Sequence, residues 1–95
     1  MKVIWTKPAA NALENIQDYI ARENWNAAWE VTQKIKNTVT QLIDHPKLGR
    51  GGRVRGTYEL VIAGLPYIVT YRVKDEQVQI LSVYHTSRKW PDSFV

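Results

Sequence analysis

The sequence holds no cysteine, and only one methionine, one phenylalanine and two histidines, in 95 residues. The missing cysteine excludes disulfides, thiol catalysis and thiolate zinc sites, and it fits a cytoplasmic protein. His45 and His85 stand far apart in sequence, so a histidine zinc site is not expected either, and neither is any other metal or cofactor. No apolar run approaches the ~20 residues that cross a bilayer, so no membrane association is expected. The start, Met1 to Pro8, lacks the apolar stretch and small-residue cleavage site of a secretory signal. A phosphate-binding Gly-Lys-Ser/Thr motif is missing too, which argues against nucleotide binding. No linker, repeat or low-complexity tract interrupts the chain, so residues 1–95 read as a single domain.

What is present is globular in composition, with 44% hydrophobic and 23% charged residues. A domain of this size buries only about 60–65% of its unfolded surface and gains stability from any partner that binds the folded form. The net charge of +4 is unevenly placed. Residues 1–44 carry five Lys/Arg and five Asp/Glu, whereas residues 45–90 carry eight Lys/Arg against Glu59, Asp75 and Glu76. A basic half beside a neutral one implies a directed surface for a polyanion or an acidic partner.

Hydrophobic spacing divides the chain. Lys2 to Trp5 is a short β-prone start, Thr6 an N-cap and Pro8 a first-turn proline. Ala9, Leu13, Ile16 and Ile20 form one helical stripe; Ala28, Val31, Ile35, Val39 and Leu42 form a second, with Asn26 as its expected N-cap. Asp44-His45-Pro46 ends it, because the residue before proline avoids the α region. A glycine- and arginine-rich loop follows from Lys47 to Gly56, and then the period changes to two. Thr57 to Ala63, Pro66 to Val73 and Val78 to Tyr84 read as an antiparallel meander with turns at Gly64-Leu65 and Lys74 to Gln77. The order β-α-α-β-β-β predicts an α+β fold, a helical hairpin on one face of a small, mainly antiparallel sheet. Strand parity assigns Val69, Tyr71, Val73, Leu81 and Val83 to the core. It assigns Thr70, Arg72, Ser82 and Tyr84 to an open, cationic opposite face.

The candidate site residues follow the charge. Lys47, Arg50, Arg53 and Arg55 share one loop without an acid, and Arg72, Arg88 and Lys89 extend the basic character. Such side chains contact phosphate or bind partner carboxylates bidentately; the alternative is a solvated basic loop. Trp90 reads as a packing anchor or as a stacking platform. Trp5, Trp25 and Trp29 read as core or helix-packing residues, and Glu14 and Asp18 as a solvated helix face. Ser87 has no acid–base partner arranged near it in sequence.

The runs Gly56-Thr57-Tyr58-Glu59-Leu60-Val61-Ile62, Pro66 to Val73 with Tyr71-Arg72-Val73, Val78 to His85 with Ile80-Leu81-Ser82-Val83-Tyr84-His85, and Arg88-Lys89-Trp90-Pro91 resemble the RelE/ParE toxin superfamily. The N-terminal Val3-Ile4-Trp5-Thr6 is similar as well, so the likeness runs from Lys2 to Pro91. The resemblance implies the toxin of a type II toxin–antitoxin pair, neutralised by a cognate antitoxin, here expected to be acidic and amphipathic. RelE-like and YoeB-like members cleave messenger RNA in the ribosomal A site; ParE-like members poison DNA gyrase. RNA cleavage by 2′-hydroxyl attack needs a base, an acid and cations for the phosphorane charge. His85 matches the catalytic histidine of YoeB-like proteins, and Arg72 lies near where the family's cations lie. The family's strand-opening arginine is replaced by Tyr67 or Ile68, and Thr86 stands where RelE-like proteins place another arginine. The residues therefore favour a gyrase-binding toxin over an mRNA endonuclease, with His85 and Arg72 the catalytic pair only in the latter case. A third reading is an inactive toxin fold serving as a binding module or corepressor.

Overall fold

The computed structural model describes residues 1–87. Thr6 links the first two elements. Strand β1 (Lys2–Trp5) ends there, and helix α1 (Lys7–Ala21) begins. The Thr6 hydroxyl donates to Ile80 O at 2.6 Å and accepts from Ala9 N–H at 3.4 Å, so one side chain caps the helix and ties it to the sheet. Helix α2 (Trp25–Thr40) follows and tightens into a 3-10 turn over Gln41–Ile43. Its N-cap is Asn24, not Asn26. Asn24 is extended and its side chain accepts from Ala27 N–H at 2.9 Å. Either asparagine suits the role by type; Asn24 takes it because α1 has already ended, with Arg22 as its C-cap.

Strands β2 (Arg50–Gly51), β3 (Tyr58–Val61), β4 (Tyr67–Lys74) and β5 (Gln77–His85) complete a five-stranded sheet of order β1-β5-β4-β3-β2. β1 runs parallel to β5 and the other pairs are antiparallel. The helical stripes of Ala9, Leu13, Ile35 and Val39 meet Leu60, Ile62, Val69, Tyr71, Val78 and Ile80 in one core. The α+β expectation of a helical hairpin on a mainly antiparallel sheet therefore holds. The two-residue β2 lies inside the loop that composition had left irregular, because glycine and arginine carry no strand signal.

Strand parity needs one correction. Thr70 pairs with Ser82 and Tyr71 with Ile80, so Leu81 is an extra residue in β5, a bulge. Ile80, not Leu81, fills the core opposite Tyr71, and Leu81 is only half-buried. Val73, at the strand end, is exposed. The bulge inverts the phase of β5, so Val83 and His85, rather than Ser82 and Tyr84, continue the core-facing row. The helical tryptophans also depart from expectation. Trp25 and Trp29 are 75% and 62% exposed, and among the described tryptophans only Trp5 packs against the core.

The β4–β5 hairpin turns on Asp75 and Glu76, both left-handed with φ of 55° and 58°. Two such residues between the paired Lys74 and Gln77 make a type I′ turn, whose preferred sequence is Asn-Gly. The double substitution Asp75→Asn/Glu76→Gly should stabilise the protein by about 1 kcal/mol, raising Tm by about 4–8 °C in a thermal melt.

Candidate functional site

The basic loop between the 3-10 turn and β3 is anchored from both sides of the sheet. Arg50 pairs with Glu59 across β2 and β3, and its guanidinium lies 3.2 Å from the Glu59 carboxylate. The other carboxylate oxygen accepts from Arg53 N–H at 2.9 Å. Glu59 is 3% exposed, whereas the Arg50 side chain is 62% exposed. Water screens the ion pair on the arginine side, so the anchor rests on both contacts to a buried acceptor. On the core face, the Tyr71 hydroxyl accepts from Gly49 N–H at 2.9 Å, and its ring stacks on Tyr58 at 5.2 Å. Beyond Gly51 the loop closes through Gly52 N–H to Thr57 O and the Thr57 hydroxyl to Val54 O.

Ladder pairing orders the residues on the face away from the helices. Arg50, Glu59, Thr70 and Ser82 form one row across β2 to β5. Thr70 is fully buried and its hydroxyl has no partner among the described residues. The next row holds Ile4, Gln79 and Arg72, whose Nε donates to Gln79 Oε1 at 2.6 Å. That row runs on toward Thr57, at the foot of the turn that carries Arg53 and Arg55. Arg53, Arg55 and Arg72 therefore share one end of the sheet, all exposed. The expected cationic floor is confined to that end, because Glu59 offsets Arg50 in the row beside it. Lys47 is exposed earlier in the loop. Arg88, Lys89 and Trp90 lie outside the described residues.

His85 lies at the other end. It pairs with Tyr67, five residues before Arg72 on β4, which puts the two about 17 Å apart along the strand. The odd spacing and the bulge also put them on opposite faces. The imidazole meets the Tyr67 ring edge-on at 5.4 Å. Its Nδ1 accepts from Ser87 N–H at 3.2 Å and lies 2.7 Å from Ser87 Oγ. Ser87, read from sequence as having no partner, thus has His85. The amide contact assigns the neutral ring its proton at Nε2, so an approaching group meets a donor there. No carboxylate orients this pair among the described residues. Those residues also contain no cluster of three His, Cys, Asp or Glu that could hold a metal, and no helix long and apolar enough to cross a membrane.

Residues 3–90 match the family described as ParE toxin of type II toxin-antitoxin system, parDE. The chain belongs to the ParE toxin family. Among relatives of this toxin, "Putative toxin Y4kP" of Sinorhizobium fredii is 39% identical, the match covering 95% of this chain and 93% of that one. "Toxin RelE2" of Caulobacter vibrioides is 30% identical, over 92% and 97% of the two chains. A chain from the chromosomal ParDE toxin–antitoxin system of P. aeruginosa superposes with a TM-score of 0.80 at 30% identity, over 90% of this chain and 95% of that one. A chain of the E. coli RelBE toxin–antitoxin complex shares the fold, with a TM-score of 0.64 at 16% identity, over 92% and 98% of the chains. This protein is therefore a toxin of a type II toxin–antitoxin system, and its fold is that of ParE and RelE.

Glu59 and Tyr71 are the toxin residues whose part in the site sequence reading missed. Glu59 carried a signal, a lone acid in a strand beside a basic loop. Tyr71 carried none, because an aromatic residue at a core position is ordinary. At Gly49, a Cβ would stand 2.8 Å from Glu59 O and from the Tyr71 hydroxyl. Gly49→Ala should therefore push the loop off β3 and cost about 1–3 kcal/mol in urea unfolding. Burial pushes the Tyr71 phenol above its ordinary value, Gly49 N–H donating to its oxygen opposes the push, and Tyr58 adds to it. The folded state thus holds the Tyr71 proton more tightly than the unfolded state. That contribution is complete below about pH 10 and is lost as pH rises through the raised value. In an alkaline titration at 295 nm, one of the five tyrosines should ionise last, together with unfolding.

Proposed function

We propose that this toxin arrests growth by binding an essential protein target, DNA gyrase foremost, without cutting RNA, and that a cognate antitoxin neutralises it in the cytoplasm. The observation that carries this reading is the separation of His85 from Arg72, about 17 Å along β4 and on opposite faces. A ribonuclease needs its proton-transfer group and its cation around one phosphate. Here Ser87 occupies the Nδ1 side of His85, and the exposed Arg53, Arg55 and Arg72 gather at the far end of the sheet. What such a surface does well is bind. Arg53, Arg55 and Arg72 offer planar donors to carboxylates or phosphates, and Lys47 adds charge that speeds encounter. The same surface suits an acidic segment of the antitoxin, which would bury it and block the target. Arg88, Lys89 and Trp90 extend the proposed binding set by sequence alone.

A second reading, a ribosome-dependent mRNA endonuclease, is favoured by one feature. His85 presents an Nε2–H with no partner among the described residues, a donor for a phosphate oxygen; protonating a leaving oxygen there would require the imidazolium form. Purified toxin should stabilise gyrase–DNA breaks on plasmid and leave message intact on programmed ribosomes. His85→Ala should arrest growth as fully as the unaltered chain, and Arg53→Glu/Arg55→Glu should weaken arrest at least tenfold in dose. Cleavage of message in the A site, abolished by His85→Ala, would establish the endonuclease instead. Neither activity, with no growth arrest, would leave a binding module or corepressor.

A further inference from the structure

Thr32 differs from the other threonines of α2. Thr38 and Thr40 donate their hydroxyls to the carbonyls of Lys34 and Lys36, one turn back, at 2.8 and 2.9 Å. Thr32 is 3% exposed, and its hydroxyl has no hydrogen-bond partner among the described residues. A buried hydroxyl left unpaired is costly, so a group that pairs with it is to be sought close by. Thr32 lines an open channel of about 560 Å³ between α1 and α2, together with Trp5, Leu13, Glu14, Asp18 and Lys36. That volume is in the range of small-molecule sites.

The charges along the channel are ordered. The chain reverses around Glu23, so residues equally far from it on the two helices lie level: Ala10 with Lys36, and Glu14 with Thr32. Asp18 stands one turn nearer the reversal. From one end, the channel thus offers an ammonium, then a carboxylate facing an unpaired hydroxyl, then a second carboxylate, in steps of about 6 Å. None of these charged groups is in a salt bridge; among the described residues the one salt bridge joins Arg50 and Glu59. Like charges one turn apart on a helix are unfavourable, and Glu14 and Asp18 stand so with no cation paired to either.

We propose that this channel is a small-molecule site for a free amino acid with a basic side chain, such as arginine or lysine. The ligand's carboxylate meets Lys36 and accepts from the Thr32 hydroxyl. Its α-ammonium meets Glu14, and its side-chain cation meets Asp18. The methylene stem, roughly three or four carbons, covers the step from Glu14 to Asp18 and lies on Leu13. Charge selects this occupant: two carboxylates and one ammonium complement two cations and one carboxylate. A simple diamine would set a cation against Lys36, and a neutral amino acid would leave Asp18 unpaired. Glu14, Asp18 and Lys36 are exposed, so water screens each ion contact and the complex is weak, with a Kd of about 1 mM. The site uses neither the arginines of the basic end nor His85, so it is independent of the gyrase reading.

Amide NMR signals of the isotope-labelled full chain, titrated with L-arginine, read the site. The signals of Gln17 and Thr32 should shift and saturate at millimolar ligand. Agmatine, which lacks the carboxylate, and L-citrulline, which lacks the side-chain cation, should each bind at least fivefold more weakly. Asp18→Asn should weaken arginine binding at least fivefold. Lys36→Met should do the same while agmatine binds no worse than before. Both substituted side chains are exposed, and circular dichroism checks that each variant is folded. Thr32→Val removes an unpaired buried hydroxyl, so it should raise Tm while it weakens arginine binding; a purely structural threonine would move Tm alone. Unmoved Gln17 and Thr32 signals, agmatine bound as tightly as arginine, or arginine bound unchanged by the Asp18→Asn or Lys36→Met variant would overturn the proposal.

Discussion

A buried carboxylate holds the basic end of this toxin in shape. Lys47, Arg50, Arg53 and Arg55 lie within one short stretch of chain, and like charges so placed repel one another. Left alone, such a loop would spread. Glu59 gathers it by accepting from the Arg50 guanidinium and the Arg53 amide at once. Tyr71 performs the matching task from the core side, through Gly49. Both anchors stand on strands whose register is set by the hydrophobic core, so helix packing and loop shape are linked: Leu60 and Val69 fix β3 against β4, and that register sets Glu59 and Tyr71 where the loop needs them.

The bulge at Leu81 has an equally large consequence for chemistry. With regular alternation from Ile80 onward, His85 would share a face with Gln79 and hence with Arg72. The extra residue turns His85 to the Tyr67 side. One inserted residue thus separates the two groups that sequence had offered as a catalytic pair, and it leaves His85 beside an aromatic ring and a serine. The same sheet therefore presents a cationic end and a histidine end set about 17 Å apart along β4.

Much of the fold was legible because its signals are local. The stripe Ala9, Leu13, Ile16, Ile20 and the Thr6 cap announce α1, and Pro46 marks the end of the hairpin. The meander follows from period-two runs and short turns. What was not legible depends on partners distant in sequence. Nothing in Gln77 to His85 marks Leu81 as extra; the register against β4 decides it. Trp25 and Trp29 sit at helical spacing, and composition alone sends tryptophan inward; only the placement of α1 shows that their flank faces solvent. Glu59 looks like any strand acid until β2 pairs beside it. The candidate binding residues were legible as charge, and the grouping of Arg53, Arg55 and Arg72 at one end of the sheet was not.

Hydrogen exchange at two amides tests the anchoring most directly. Gly49 N–H donates to Tyr71 and Arg53 N–H to Glu59, while Arg55 N–H serves as an internal comparison. If Glu59 and Tyr71 hold the loop, Gly49 and Arg53 should exchange at least a hundredfold more slowly than Arg55, and Glu59→Ala should release Arg53 while β4 and β5 stay protected. Exchange of Gly49 and Arg53 as fast as that of Arg55 in the unaltered protein would contradict the account.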